Sequence, residues 1–119
     1  MQGLMMDMPL LVSGILQHAA RHFGDTEVVS RRVEGDIHRY TYADCERRAR
    51  RLADAFARQG VGIGDRIATL AWNGYRHLEL YYAVGGMGAI VHTLNPRLHP
   101  QQIAWIIYHA GDVHLAFDL

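Results

Sequence analysis

The sequence predicts an α/β fold in which a β-hairpin and helices precede a parallel βαβαβ half-sheet. Three observations predict it. Three short apolar runs (65–71, 89–93 and 113–117) are separated by helical patterns at 75–84 and 101–110. That alternation is the signature of parallel units. Two strand-forming runs, 27–33 and 36–40, flank Glu34-Gly35. Thr41-Tyr42-Ala43-Asp44 reads as a capping box that opens a long amphipathic helix.

Residues 1–11 lack strong periodicity and are expected to form an extended arm. In 13–23, Ile15, Leu16, Ala19, Ala20 and Phe23 recur at helical spacing, with Ser13 as the expected N-cap and Gly24 as the stop. Val28, Val29, Val33 and Tyr40 favour strand, and Gly35 supplies the positive φ of a tight turn. Arg31, Arg32 and Arg39 are expected to face solvent.

After the capping box, Cys45, Ala49, Leu52 and Phe56 form one apolar stripe down to Gln59, and Gly60 ends the helix. Arg66 to Ala71 is nearly continuous in apolar character, as in a strand covered on both faces. The helix at 75–84 is apolar on most sides and should be well buried. Pro100 suits the first turn of the next helix, whose core face is Ile103, Ile106, Ile107 and Ala110, with Gly111 closing it. Parallel units keep their functional groups at the carboxyl ends of the strands and ordinarily use more than three strands. The sequence stops just after the third, so the 119 residues are expected to be the front portion of something larger.

Composition narrows the function classes. Net charge is zero, which argues against nucleic-acid or anionic-membrane partners. All twelve basic residues are Arg, so neither a phosphate-loop lysine nor a Schiff-base lysine exists in these residues. The single Cys45 cannot form an intrachain disulfide, which suits a reducing, cytoplasmic compartment. The amino terminus lacks the basic start of a signal peptide, and no run approaches a transmembrane length.

Several tempting motifs have plainer explanations. The glycines of 60–64 and 85–88 follow helices and precede strands, the reverse of a dinucleotide fingerprint, so they read as helix stops and turns. Of eight histidines only His18 and His22 form an i, i+4 pair, and no zinc-protease pattern surrounds them. Cys45 lies on an apolar stripe, where a buried inert thiol is expected. The arginines of helix 41–59 are interleaved with Asp44, Glu46 and Asp54, as on a salt-bridged surface. The segment Asn95-Pro96-Arg97-Leu98-His99-Pro100 differs. It follows a parallel strand, carries an Arg able to grip phosphate at two points, and precedes a helix N-terminus. Two readings stand here: a ligand loop, or a Pro-bounded loop with Arg97 capping a neighbour.

Five segments in register carry a family resemblance. They are Tyr40-Thr-Tyr-Ala-Asp44, Gly62-Ile-Gly-Asp-Arg-Ile-Ala-Thr-Leu70, Trp72-Asn-Gly-Tyr-Arg-His-Leu-Glu79, Tyr82-Ala-Val-Gly-Gly-Met-Gly-Ala89 and His92-Thr-Leu-Asn-Pro-Arg-Leu98. From residue 11 to residue 119 the chain resembles the amino-terminal section of the adenylate-forming acyl-CoA synthetases. The likeness is to the long- and medium-chain fatty acid branch, including the 3-methylthiopropionate-type ligases.

The resemblance implies that residues 1–119 are an N-terminal fragment of the AMP-binding (adenylation) domain. The parent enzyme would use ATP and Mg2+ to convert a fatty acid to an acyl-adenylate, then transfer the acyl group to CoA. The phosphate loop, acidic segment, acyl pocket and catalytic lysine all lie later in family members. The segment alone is therefore expected to be inactive, with no catalytic or metal-ligating residue of its own. The resemblance places Arg97 and Asn95 near the CoA nucleotide. It also implies a homodimer through the amino-terminal arm, with Met5, Met6, Pro9 and Leu10 as apolar contacts. Two other readings remain: a non-enzymatic dimerisation or interaction module, and a separate small nucleotide-binding domain.

Overall fold

A computed structural model of the chain describes residues 3–118. Residues 1 and 2, at the tip of the expected arm, and residue 119 lie outside the described residues. Residues 3–11 carry no helix or strand, and the first element is α1 (Val12–His22). Ser13 does not cap it. The Gly14 N–H already bonds the Leu11 carbonyl at 3.0 Å, closing the first turn upstream, so Leu11 is the N-cap and gives no side-chain bond. The expected apolar face is also narrower. Leu16 is buried, while Ile15 is 63% exposed and Phe23 58%. Periodicity set the helix, but α1 meets its neighbours along only one line.

The hairpin pairs β1 (Glu27–Arg31) with β2 (Ile37–Thr41) antiparallel, with Val29 opposite Arg39. Its turn is wider than a two-residue connection. The Arg32 N–H donates to the Asp36 carbonyl at 2.9 Å, and Gly35 takes φ 97°. Arg32 departs from the solvent-facing expectation. It is half-buried because its guanidinium forks back across the turn onto the Asp36 carboxylate at 2.6 and 2.8 Å. Arg31 and Arg39 are exposed, and Arg39 pairs with Glu27 at 2.6 Å.

The capping box forms at α2 (Tyr42–Arg58). Thr41 Oγ1 accepts from the Asp44 N–H, and the Thr41 N–H donates to Asp44 Oδ2, both at 3.2 Å. Cys45 and Ala49 of the stripe are buried, and burial raises the pKa of the Cys45 thiol, leaving it poorly nucleophilic.

Helix α3 (Tyr75–Gly86) lies between two apolar clusters. Tyr75 and Ala83 join Leu16, Tyr40, Cys45 and Ala49. Leu80 and Val84 join Val61, Ile67 and Ala89 on the sheet side.

The sheet contains β3 (Arg66–Leu70), β4 (Ile90–Thr93) and β5 (His114–Phe117), all parallel, in the order β4-β3-β5. The first strand in sequence is thus the central one, and its Ile67, Ala68 and Thr69 are each 0% exposed. Helix α4 (Pro100–Ala110) begins with Pro100 in its first turn, as the sequence predicts. Its face of Ile103, Ile106, Ile107 and Ala110 is only half-buried.

Strand order decides where the connections go. The β3-to-β4 and β4-to-β5 crossovers run in opposite directions across the sheet. Right-handed connections therefore put α3 and α4 on opposite faces. The side chains agree. Ile67 packs with Leu80 and Val84 of α3, whereas neighbouring Arg66, aimed at the other face, donates to the Ala110 carbonyl at the end of α4. Among the described residues no helix is long and apolar enough to cross a membrane.

Candidate functional site

Adjacent strands β3 and β4 send their chains to opposite faces, which makes their carboxyl ends a topological switch point. In open α/β sheets that switch point is where ligands bind. Two loops flank it: residues 71–74 after β3 and residues 94–99 after β4.

Each loop is held by its own polar contacts. After β3, the Trp72 N–H donates to Asp118 Oδ2 at 2.9 Å, tying the turn to the end of β5. Behind it Thr69 Oγ1 and His77 Nε2, both buried, share a hydrogen bond of 3.0 Å that fastens the first turn of α3 to β3. The hairpin braces the same turn: the Tyr75 N–H donates to Ser30 Oγ at 3.0 Å, His38 stacks on the Tyr75 ring at 3.8 Å, and Arg76 bonds Glu34 at 2.7 Å. The Arg76 guanidinium holds the Glu34 carboxyl below its usual range.

After β4, Asn95 Oδ1 accepts from the Arg97 N–H at 3.0 Å. The Leu98 N–H then bonds the Asn95 carbonyl at 3.2 Å, so the loop turns tightly. His99 caps α4: its Nδ1 accepts from the Gln101 N–H at 3.3 Å, and its own N–H donates to Gln102 Oε1 at 3.2 Å.

Both expected site residues are therefore in one loop, with distinct tasks. Asn95 shapes the loop through its side chain. Arg97 is exposed, and among the described residues its guanidinium forms no ion pair. Instead it lies over the Trp72 ring, 5.9 Å from its centre. The sequence does not by itself single out Trp72, the residue that Arg97 lies over. The one signal is positional: Trp72 follows β3 as Asn95 follows β4.

The remaining candidates resolve into packing and surface pairs. The glycines of 60–64 make a turn between α2 and β3: Gly60 takes φ 88°, and the Gly62 N–H donates to Asp65 Oδ2 at 2.8 Å. The expected salt-bridged face of α2 forms in part, with Arg47 paired to Asp44 and Arg50 to Glu46. Unforeseen is Arg48, which bonds the 5%-exposed Glu79 of α3 at 2.7 Å and has its pKa raised by that bond. The His18 and His22 rings lie 4.5 Å apart and tilted by 41°, and no group of three metal-ligating side chains forms among the described residues. A cavity of ≈ 130 Å³ between α1, α2 and α3 is walled by Leu16, Ala49 and Ala83 and is a packing gap rather than a reaction chamber. These residues fit neither a triphosphate loop nor a Mg2+ site, whereas Arg97 fits a phosphate contact.

A parallel three-stranded sheet preceded by an antiparallel hairpin and a capped helix defines an α/β domain. The chain belongs to the AMP-binding enzyme family, whose model matches residues 16–117. It is 54% identical to the long-chain-fatty-acid–CoA ligase of Thermus thermophilus over 96% of this chain and 21% of that protein. It is 48% identical to the 3-methylmercaptopropionyl-CoA ligase of Ruegeria lacuscaerulensis over 99% of this chain and 22% of that one. The fold superposes on a fatty acyl CoA synthetase of Mycobacterium tuberculosis with a TM-score of 0.74, at 24% identity, over 90% of this chain and 21% of that one. The chain thus spans about a fifth of the length of the relatives it matches.

Proposed function

We propose that these residues are the N-terminal segment of an ATP-dependent acid–CoA ligase acting on a medium- or long-chain fatty acid or a methylthio-alkanoic acid. The observation that carries this reading is the 54% identity to a fatty acid CoA ligase across 96% of the chain. In the intact protein the acid's carboxylate oxygen would attack the α-phosphorus of ATP, releasing pyrophosphate. The CoA sulfur would then take the acyl group and release AMP. ATP and Mg2+ would be held by residues outside this segment, which has no lysine and no phosphate loop. The segment's own share is Arg97, gripping a CoA phosphate, and Asn95, fixing the loop that carries it. A cytoplasmic location accords with the lone, buried Cys45.

The test is acid-dependent ATP–pyrophosphate exchange and CoA-thioester formation by the intact protein. Absence of both with C6 to C18 and methylthio acids would refute the ligase. Within an active enzyme, Arg97→Ala should raise the KM for CoA, and an unchanged value removes Arg97 from the site.

A second reading concerns assembly and is favoured by exposure. Met5, Met6 and Leu10 of the amino-terminal stretch are 87%, 65% and 88% exposed, and we assign them to a homodimer contact. The purified segment, with Leu115, Phe117 and Trp105 also bare, should self-associate. A monomer by light scattering at high concentration would count against it.

A further inference from the structure

Trp72 is unusual on the switch-point edge. A large aromatic ring at a loop tip buries little, and this one is 52% exposed although the Arg97 guanidinium lies over it at 5.9 Å. Its backbone is nonetheless pinned by the 2.9 Å bond to Asp118, and the Thr69–His77 bond joins the two ends of its loop. The partner loop is pinned by Asn95. Two loops from adjacent strands thus present a flat π surface and an unpaired planar cation side by side.

We infer that Trp72 is a stacking platform for the adenine base of the nucleotide whose phosphate Arg97 grips, so that the two residues together read a phosphorylated adenosine. The inference rests on the CoA reading of Arg97 given above. An exposed indole offers a face to any purine, and base–aromatic stacking is strong enough to set an affinity. The guanidinium against the ring adds to this, because Arg stacks on an indole and keeps its N–H donors free at its rim for phosphate oxygens. The same chemistry could serve ATP, so the two sources must be separated by experiment.

The experiment uses the intact ligase and three variants, Trp72→Leu, Trp72→Phe and Arg97→Ala, with unfolding midpoints taken alongside. Trp72→Leu keeps apolar bulk and loses the π face; it should raise the KM for CoA roughly tenfold, within the range of a lost base stack. Trp72→Phe should stay within about threefold of the parent. The KM for ATP should not move in any variant. With 4′-phosphopantetheine as acceptor, which has no base, Trp72→Leu and the parent should perform alike. Equal KM values for CoA in Trp72→Leu and the parent, beside a raised value in Arg97→Ala, overturn the stacking and leave the phosphate contact. An unchanged KM in Arg97→Ala overturns both. A rise for ATP rather than CoA assigns the platform to the other nucleotide and overturns the inference as stated.

Discussion

Helices α3 and α4 are nearly matched in length, 12 and 11 residues, and both are apolar around most of their circumference. Their fates differ. Six residues of α3 are buried, among them His77 and Glu79, while no residue of α4 is. The difference lies in their surroundings. Helix α3 is packed by α1 and α2 on one side and by the sheet on the other, with the hairpin across its first turn. Helix α4 has only the opposite face of the sheet, reached through the Arg66–Ala110 bond and the neighbouring His92–Asp112 pair at 2.9 Å. On its outer side Trp105 and Tyr108 are 62% and 88% exposed. Apolar composition states what a helix can bury, and the number of surfaces around it decides what it does bury.

The sharpest way to break this comparison is to remove volume on each side of it. Ile67→Ala, at the wholly buried centre of β3 beneath α3, should cost about 2–5 kcal/mol in urea unfolding. A cost below about 1 kcal/mol would mean that the α3 side is no better packed than the α4 side. Next comes the ion pair that ties α2 to α3. Arg48→Met strands the buried Glu79 carboxylate; because Arg48 itself is 45% exposed, the loss should be near 2 kcal/mol rather than that of a fully buried pair. Thr41→Ala, which uncaps α2, should cost about 1 kcal/mol.

That third effect should depend on pH. Hydrogen bonds from the Thr41 backbone and side chain hold the Asp44 carboxyl below its usual range. A depressed carboxyl stabilises the fold above the ordinary carboxylate pKa, and the contribution is lost as pH falls through the lowered folded value. The gap between the parent and Thr41→Ala should therefore narrow in acid; a constant gap down to about pH 2 would sink the assignment. The smallest effect belongs to the bare helix. Trp105→Ser on α4 should change stability by no more than about 0.5 kcal/mol.

The legible parts of the fold were those specified within a few residues. The Thr41–Asp44 box lies within one helical turn, the turn at Gly35 is set by its own backbone, and the α2 stripe shows in its period. What stayed hidden depends on partners far along the chain. Arg48 meets Glu79 across 31 positions, and Trp72 meets Arg97 only because β4 pairs with β3. Likewise Ile15 had the spacing of a core residue, yet no neighbour covers it. The site was half legible for the same reason. The loop after β4 carries local signs of its role in Asn95, Pro96 and Arg97, whereas the loop facing it becomes relevant only once the strand order is known.

That order has a consequence for synthesis on the ribosome. The strand containing Ile67 is made first, but one of its two flanking strands, β5, ends at Phe117. Translation must therefore advance roughly fifty codons, on the order of 3–10 s at ordinary rates of synthesis, before both edges of that strand can be covered. During this interval the nascent chain carries the strand that ends up most deeply buried half unprotected, and chaperone capture should concentrate there.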